Sequence, residues 1–138
     1  MNIREAYNQW ADQYDTNLNK TRDMEGVVLQ ENLSKIAFTN VLEIGCGTGK
    51  NTLWLVQKAA QVTAVDFSEE MLAHARQKVT AANVQFIQAD ITRQWQFAGS
   101  PFNLITFSLV LEHIENLGHI FSQCAGVLQP GGYVYIGE

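Results

Sequence analysis

The chain has 138 residues, enough for one domain with a single core and too few for two. A composition of 46% hydrophobic and 17% charged residues with 2 prolines is globular, and it excludes a disordered, collagenous or membrane-embedded chain. Nine basic against fourteen acidic residues give a formal charge of −5, and no Lys or Arg follows Arg93, which argues against nucleic acid or anionic lipid as a partner.

The chain opens on Met1-Asn2-Ile3-Arg4-Glu5, without the apolar core of a secretory leader, and no apolar run reaches the roughly 18 residues of a membrane span, so the sequence reads as cytoplasmic. Ile3, Tyr7, Trp10, Ala11, Tyr14 and Leu18 recur three and four apart, the stripe of an amphipathic helix. A second helix is expected through Val28, Leu29, Leu33, Ile36 and Ala37. Asn40 to Ile44 is a short β-prone run followed at once by Gly45-Cys46-Gly47-Thr48-Gly49, which reads as strand, tight glycine turn and helix, the helix running through Thr52 to Lys58. Val62 to Val65 is the second strand, ending in Asp66-Phe67-Ser68. Ser68 is placed to cap the next helix, and Glu69 and Glu70 complement the dipole of its first turn. Met71, Leu72, Ala75 and Val79 form the buried stripe of that helix. Val84 to Gln88 is a third strand ending at Ala89-Asp90, and Phe102 to Phe107 is a fourth, apolar as a strand covered on both faces must be. Leu117, Ile120, Phe121, Cys124 and Leu128 mark another helix. Gln129-Pro130-Gly131-Gly132 reads as a turn and Tyr133 to Ile136 as the fifth strand. Cys46 and Cys124 have neither metal-ligand nor disulfide-framework spacing, so both are expected as reduced thiols and no metal site is expected.

Strands alternating with helices predict an α/β domain with right-handed crossovers, an open parallel sheet and helices on both faces. Ligands bind such sheets beyond the carboxyl ends of the strands, where strand order switches, which singles out Gly45 to Gly49, Asp66, Asp90 and Ser108. A glycine turn there lets backbone approach a ligand closely. The pattern is G-x-G-x-G, and Lys50 stands where a G-x-G-x-x-G dinucleotide fingerprint needs its third glycine, which weighs against a nicotinamide-dependent dehydrogenase. Asp66, about twenty residues beyond Gly45, sits where one carboxylate accepts from both hydroxyls of a ribose. Asp90 is placed to accept from an exocyclic adenine amine.

Val41-Leu42-Glu43-Ile44-Gly45-Cys46-Gly47-Thr48-Gly49, then Val65-Asp66-Phe67-Ser68 with Met71-Leu72, Gln88-Ala89-Asp90, Phe102-Asn103-Leu104-Ile105 leading into Leu111-Glu112-His113-Ile114, and Leu128-Gln129-Pro130-Gly131-Gly132 resemble the ordered motifs of class I S-adenosylmethionine-dependent methyltransferases of the small-molecule type. The resemblance runs from about Trp10 to the end of the chain. It implies a Rossmann-like doubly wound, mainly parallel sheet of strand order 3-2-1-4-5, in a single domain whose residues 1–38 form a helical cover and 39–138 the core.

It also implies S-adenosylmethionine as cofactor. Gly45, Cys46, Gly47 and Gly49 would hold the methionine end, with Glu43 orienting its ammonium. Asp66 would hold the ribose, Phe67 and Met71 would line the adenine, Asp90 and the backbone of Ile91 would read the adenine edge, and Ser108 would lie beneath the sulfonium. Tyr14 would belong to an aromatic helix covering the cofactor. Cys46 is expected as a small filler residue and not as a nucleophile. Methyl transfer needs a base only for a protonated acceptor, and Glu112 and His113, just past the fourth strand, are the candidates for it. His74 and His119 are expected on helix surfaces.

Family domains continue past the fifth strand with a helix and two further strands, whereas this chain stops at Gly137-Glu138. The expectation is therefore a truncated domain, or one that completes its sheet by self-association through Tyr133 to Ile136. Two functions stay open: methyl transfer to a small-molecule acceptor, and a non-catalytic S-adenosylmethionine-binding module.

Overall fold

In the computed structural model, residues 19–97 and 101–137 are described. The elements in chain order are α1 (Asn19–Leu33), β1 (Asn40–Ile44), α2 (Lys50–Lys58), β2 (Gln61–Asp66), α3 (Glu69–Lys78), β3 (Val84–Gln88), β4 (Phe102–Ser108), a 3₁₀ turn at Leu111–His113, α4 (Leu117–Val127) and β5 (Leu128–Gly137). All four strand pairings are parallel and the sheet order is β3-β2-β1-β4-β5. This is the expected order. The chain winds outward from β1 to β3 and then crosses back to β4 on the other side of β1. The crossovers leaving β1 and β4 therefore run to opposite sides, which puts the switch point and its crevice at the carboxyl ends of these two strands.

Alternation along the strands divides the core. Val41 of β1, Val62 and Ala64 of β2 and Leu104 of β4 face one layer, where they meet Leu29 and Leu33 of α1, Leu55 of α2 and Leu72 of α3. Leu42 and Ile44, Val65, and Ile105 and Phe107 face the other layer, against Trp95, Leu111 and the α4 residues Ile120 and Cys124. The central strands are thus buried on both faces, which is why β1, β2 and β4 read as near-continuous apolar runs.

Local signals act as expected in α3. Ser68 Oγ accepts from the Met71 N–H at 3.2 Å, and Met71, Leu72, Ala75 and Val79 are all buried. Asn116 caps α4 in the same way, accepting from the His119 N–H at 3.0 Å. Three expectations need correction. Of the stripe read through Val28, Leu29 and Leu33, only the two leucines are buried; Val28 is exposed and Ala37 lies at the surface beyond the helix. Leu117 and Phe121 are also exposed, so α4 buries a narrower face than its apolar residues span. Finally, Gln129 to Gly132 does not separate helix from strand. β5 begins at Leu128, opposite Phe102, and residues 129–132 bulge opposite Asn103 before pairing resumes at Leu104 with Tyr133. An edge strand tolerates this, since Pro130 has no N–H to lose and Gly131 adopts φ +79°.

The outer edge of β5 carries exposed Tyr133, Val134 and Ile136. Among the described residues, no helix is long and apolar enough to cross a membrane. The helix expected through Ile3 to Leu18, with Tyr14, lies outside the described residues.

Candidate functional site

The glycine turn leaves β1 as a tight hook. The N–H groups of Gly45 and Cys46 both donate to the Val65 carbonyl, at 2.8 and 3.0 Å, and Gly49 N–H closes back on the Cys46 carbonyl at 3.0 Å. Gly45, Gly47 and Gly49 all have positive φ. Two of them answer different demands. At Gly45 a Cβ would sit 2.2 Å from Val110 Cγ2, so absence of a side chain lets the loop after β4 close against the loop after β1. At Gly47 nothing lies within 4 Å of a built Cβ; the space there opens into the crevice.

Asp66, at the tip of β2, is 4% exposed. Its Oδ2 accepts from the Gly47 N–H and its Oδ1 from the Ser68 N–H, both at 2.9 Å, so one carboxylate ties the glycine turn to the start of α3. Burial pushes its pKa up from the usual carboxylate value, and the backbone N–H donors work against that rise. Each carboxylate oxygen held by one such donor still has acceptor capacity for a further hydroxyl. Ser108 and Leu109 complete the crevice from β4. Leu109 adopts φ +57°, a left-handed conformation that costs a non-glycine residue about 1–2 kcal/mol. Its N–H donates to the Gly137 carbonyl at 2.7 Å, which holds that turn in place.

One pocket gathers these parts. It is lined by Glu25, Glu43, Gly45, Cys46, Gly47, Lys50, Asn51, Ser108 and Leu109, at the switch point between β1 and β4. Glu43, Gly45, Cys46, Gly47 and Ser108 thus stand together. Glu43 is buried and accepts the Thr52 hydroxyl of α2. Cys46 is buried, with its thiol pKa pushed well up by desolvation and by the charges of Glu43 and Asp66, which disfavours the thiolate form. Asp66 does not itself line this pocket; it accepts from the N–H of Gly47, which does.

The adenine-side candidates are more dispersed. Phe67 is exposed beyond β2, its carbonyl accepting from Gln88 Nε2 at 3.0 Å. Met71 is fully buried in α3, so it supports this side from within the packing and presents no surface there. Asp90 accepts from both the hydroxyl and the N–H of Thr92, at 2.5 and 3.0 Å, and the Thr92 hydroxyl is the main reason its pKa lies below the usual value. The Ile91 carbonyl accepts from the Trp95 indole at 2.9 Å.

His113 and Glu112 do not line the pocket. They sit on the 3₁₀ turn, 3.4 Å apart, with side chains 73% and 57% exposed. His119 Nε2 lies 2.9 Å from the Arg93 carbonyl and His74 beside Glu70, both at the surface of their helices. The motif reading missed Glu25, Asn51 and Leu109, and read Lys50 only as a missing glycine; Lys50 lines the pocket and pairs with Asp23 of α1.

A family model described as "Methyltransferase domain" matches residues 42–136. The chain belongs to this methyltransferase family. It is 31% identical over 109 residues to a protein named ubiquinone biosynthesis O-methyltransferase from Stutzerimonas stutzeri, covering 78% of this chain and 47% of that protein. It is 30% identical to a demethylmenaquinone methyltransferase from Leptospira interrogans, covering 94% of this chain and 57% of that one. Among solved structures it resembles DhpI in its complex with SAH, with a TM-score of 0.82 at 26% identity over 96% of this chain and 65% of that one. It also resembles the N-methyltransferase NodS of Bradyrhizobium japonicum WM9 bound to S-adenosyl-L-homocysteine, with a TM-score of 0.70 at 27% identity over 83% and 60%. The chain spans about half the length of the curated relatives it matches.

Proposed function

We propose that this chain binds S-adenosylmethionine in the β1–β4 crevice and transfers a methyl group from it to a small-molecule acceptor. The observation that carries the reading is Asp66: a buried carboxylate fixed by the Gly47 and Ser68 N–H groups beside a glycine turn whose middle residue faces open space. The residues fit the cofactor. Open space at Gly47 accommodates a ligand against bare backbone, Asp66 offers acceptors for two ribose hydroxyls, and the pocket supplies both a cation, Lys50, and carboxylates for an amino-acid end.

When bound, S-adenosylmethionine supplies a methyl group already made electrophilic by its sulfonium. The chain's own task is orientation and exclusion of water. Gly45 to Gly49 would cradle the methionine end, with Glu43, bonded to Thr52 beneath the turn, helping to orient its ammonium through a water. Ser108 would stand under the sulfonium, and Asp66 would fix the ribose. Phe67, with Met71 behind it, would flank the adenine, and Asp90 and Ile91 would read its edge. Tyr14 would cover the site from the N-terminal segment. Glu112 and His113, both exposed, are placed to take a proton only from an acceptor arriving from solvent.

The proposal includes a cytoplasmic setting, with which two buried free thiols accord, and the exposed edge of β5 as the place where a further strand or a second copy pairs. The test is incubation with methyl-labelled S-adenosylmethionine and small phenols, amines and quinols, followed by extraction of labelled product. Labelled product lost in Asp66→Ala supports the reading. A chain that binds the cofactor and labels no acceptor is a binding module, not an enzyme.

A further inference from the structure

α1 carries into the pocket a carboxylate that no motif accounts for. Glu25 Oε1 accepts from Ser108 Oγ at 3.0 Å and from the Tyr135 hydroxyl at 3.4 Å, and its Oε2 accepts from Asn51 Nδ2 at 3.2 Å. Donors from α2, β4 and β5 therefore converge on one side chain from α1. Gly137 makes room for it, since a Cβ there would lie 2.3 Å from Glu25 Oε1. These donors are all neutral, and Oε2, with one donor among the described residues, keeps acceptor capacity in a side chain that lines the pocket. Desolvation, and after it the nearby Glu25, pushes the Tyr135 phenol up to about 12, so Tyr135 stays a donor at any physiological pH.

The second pocket carboxylate is differently employed. Glu43 is 3% exposed and takes the Thr52 hydroxyl beneath the glycine turn, where it braces α2 against β1. Lys50 lines the same pocket, paired with Asp23 two residues before Glu25. A pocket with an aimed carboxylate and a lysine at one end has the complementary charges of an α-amino acid group.

We infer that Glu25 receives the α-ammonium of the cofactor's amino-acid end, aimed by Ser108, Tyr135 and Asn51. This rests on the S-adenosylmethionine reading above and deepens it: the N-terminal helix is part of the cofactor site and not only its cover. A purely structural role, in which Glu25 straps α1 to the sheet, predicts a different pattern of ligand affinities.

The experiment is calorimetric titration of the full chain and its Glu25→Gln variant with S-adenosylhomocysteine, its analogue lacking the α-amino group, 5′-methylthioadenosine, which lacks the whole amino-acid end, and S-adenosylmethionine. Glu25→Gln is expected to weaken S-adenosylhomocysteine about tenfold, as for loss of a charge-assisted hydrogen bond, and to move 5′-methylthioadenosine by less than about twofold. It should also erase the wild-type preference for S-adenosylhomocysteine over the deaminated analogue. Equal losses for both adenosyl ligands would overturn the inference in favour of the strap. Loss confined to S-adenosylmethionine would overturn it too, by placing Glu25 against the sulfonium. Wild-type protein that binds no adenosyl ligand would overturn the cofactor reading itself, whereas wild-type binding unaffected by Glu25→Gln would overturn the inference alone. Should Glu25→Gln fail to fold, the wild type decides: equal affinity for S-adenosylhomocysteine and its deaminated analogue refutes the inference, and about tenfold discrimination, diminished in Tyr135→Phe, sustains it.

Discussion

Alanine at Gly45 and at Gly47 separates the two tasks of the glycine turn. Both positions have positive φ, so each substitution costs about 1–2 kcal/mol for placing a Cβ in the left-handed region. At Gly45 the new Cβ also falls 2.2 Å from Val110 Cγ2, and moving that side chain adds roughly 1–3 kcal/mol of overpacking. Gly47→Ala has no such neighbour, but its methyl group projects into the crevice. The expected result is a loss of about 2–5 kcal/mol for Gly45→Ala and about 1–2 kcal/mol for Gly47→Ala, read by urea unfolding at constant m. S-adenosylhomocysteine titration should show the opposite emphasis, with Gly47→Ala folded and strongly impaired in binding. Adding Val110→Ala to Gly45→Ala removes the contact, and the cycle should return a coupling of about 1–3 kcal/mol. Equal destabilisation by the two alanines, additivity with Val110→Ala, or wild-type affinity in Gly47→Ala would refute this account of the turn.

Three further outcomes follow from the geometry. Because His113 and Glu112 are exposed and off the pocket, His113→Ala and Glu112→Ala should leave S-adenosylhomocysteine affinity within about twofold of wild type; a larger drop in calorimetry would place them in the cofactor site. Asp90 is held below its ordinary value of 3.8, chiefly by the Thr92 hydroxyl, so its ionised form stabilises the fold above that pH and the contribution fades as pH falls toward its lowered value. Asp90→Asn should therefore lower the urea midpoint at pH 7, with the difference shrinking below pH 3.8, and a gap that persists undiminished at pH 2 would contradict this. Burial raises both thiols, Cys124 to about 11, so native protein at pH 8 should resist iodoacetamide over times in which urea-unfolded protein labels fully at both positions. Rapid native labelling of Cys46, followed by mass spectrometry, would show its turn to be open.

Much of this architecture is written locally. The Asn40–Ile44 run, the glycine turn and Ser68 with its two glutamates each specify their element through backbone chemistry that acts within a few residues, and each forms as read. The strand order came with the family motifs. What escaped depends on contacts distant in sequence. Gln129 to Gly132 has the chemistry of a turn, yet pairing of β5 along β4 absorbs it as a bulge. Val28 and Phe121 are apolar but lie outside the arcs that α1 and α4 bury, and apolar residues on a surface carry no signal of their own.

Glu25 did leave a trace. It precedes Leu29 and Leu33 by four and eight residues, in line with the buried stripe of α1, and a charged residue continuing a buried stripe asks for a partner. That partner set, Asn51, Ser108 and Tyr135, spans positions 26 to 110 residues away and emerges only from the fold. Glu112 and His113 show the converse. Their place after β4 suggested chemistry, and the 3₁₀ turn directs both side chains to solvent.

The most direct test of the account is calorimetric titration of the chain with S-adenosylhomocysteine, in wild-type form and as Asp66→Ala, with NADH as control. Wild-type binding is expected near micromolar, about −8 kcal/mol, with no binding to a folded Asp66→Ala and none of NADH. Unchanged affinity in Asp66→Ala, or binding of NADH in place of S-adenosylhomocysteine, would contradict it.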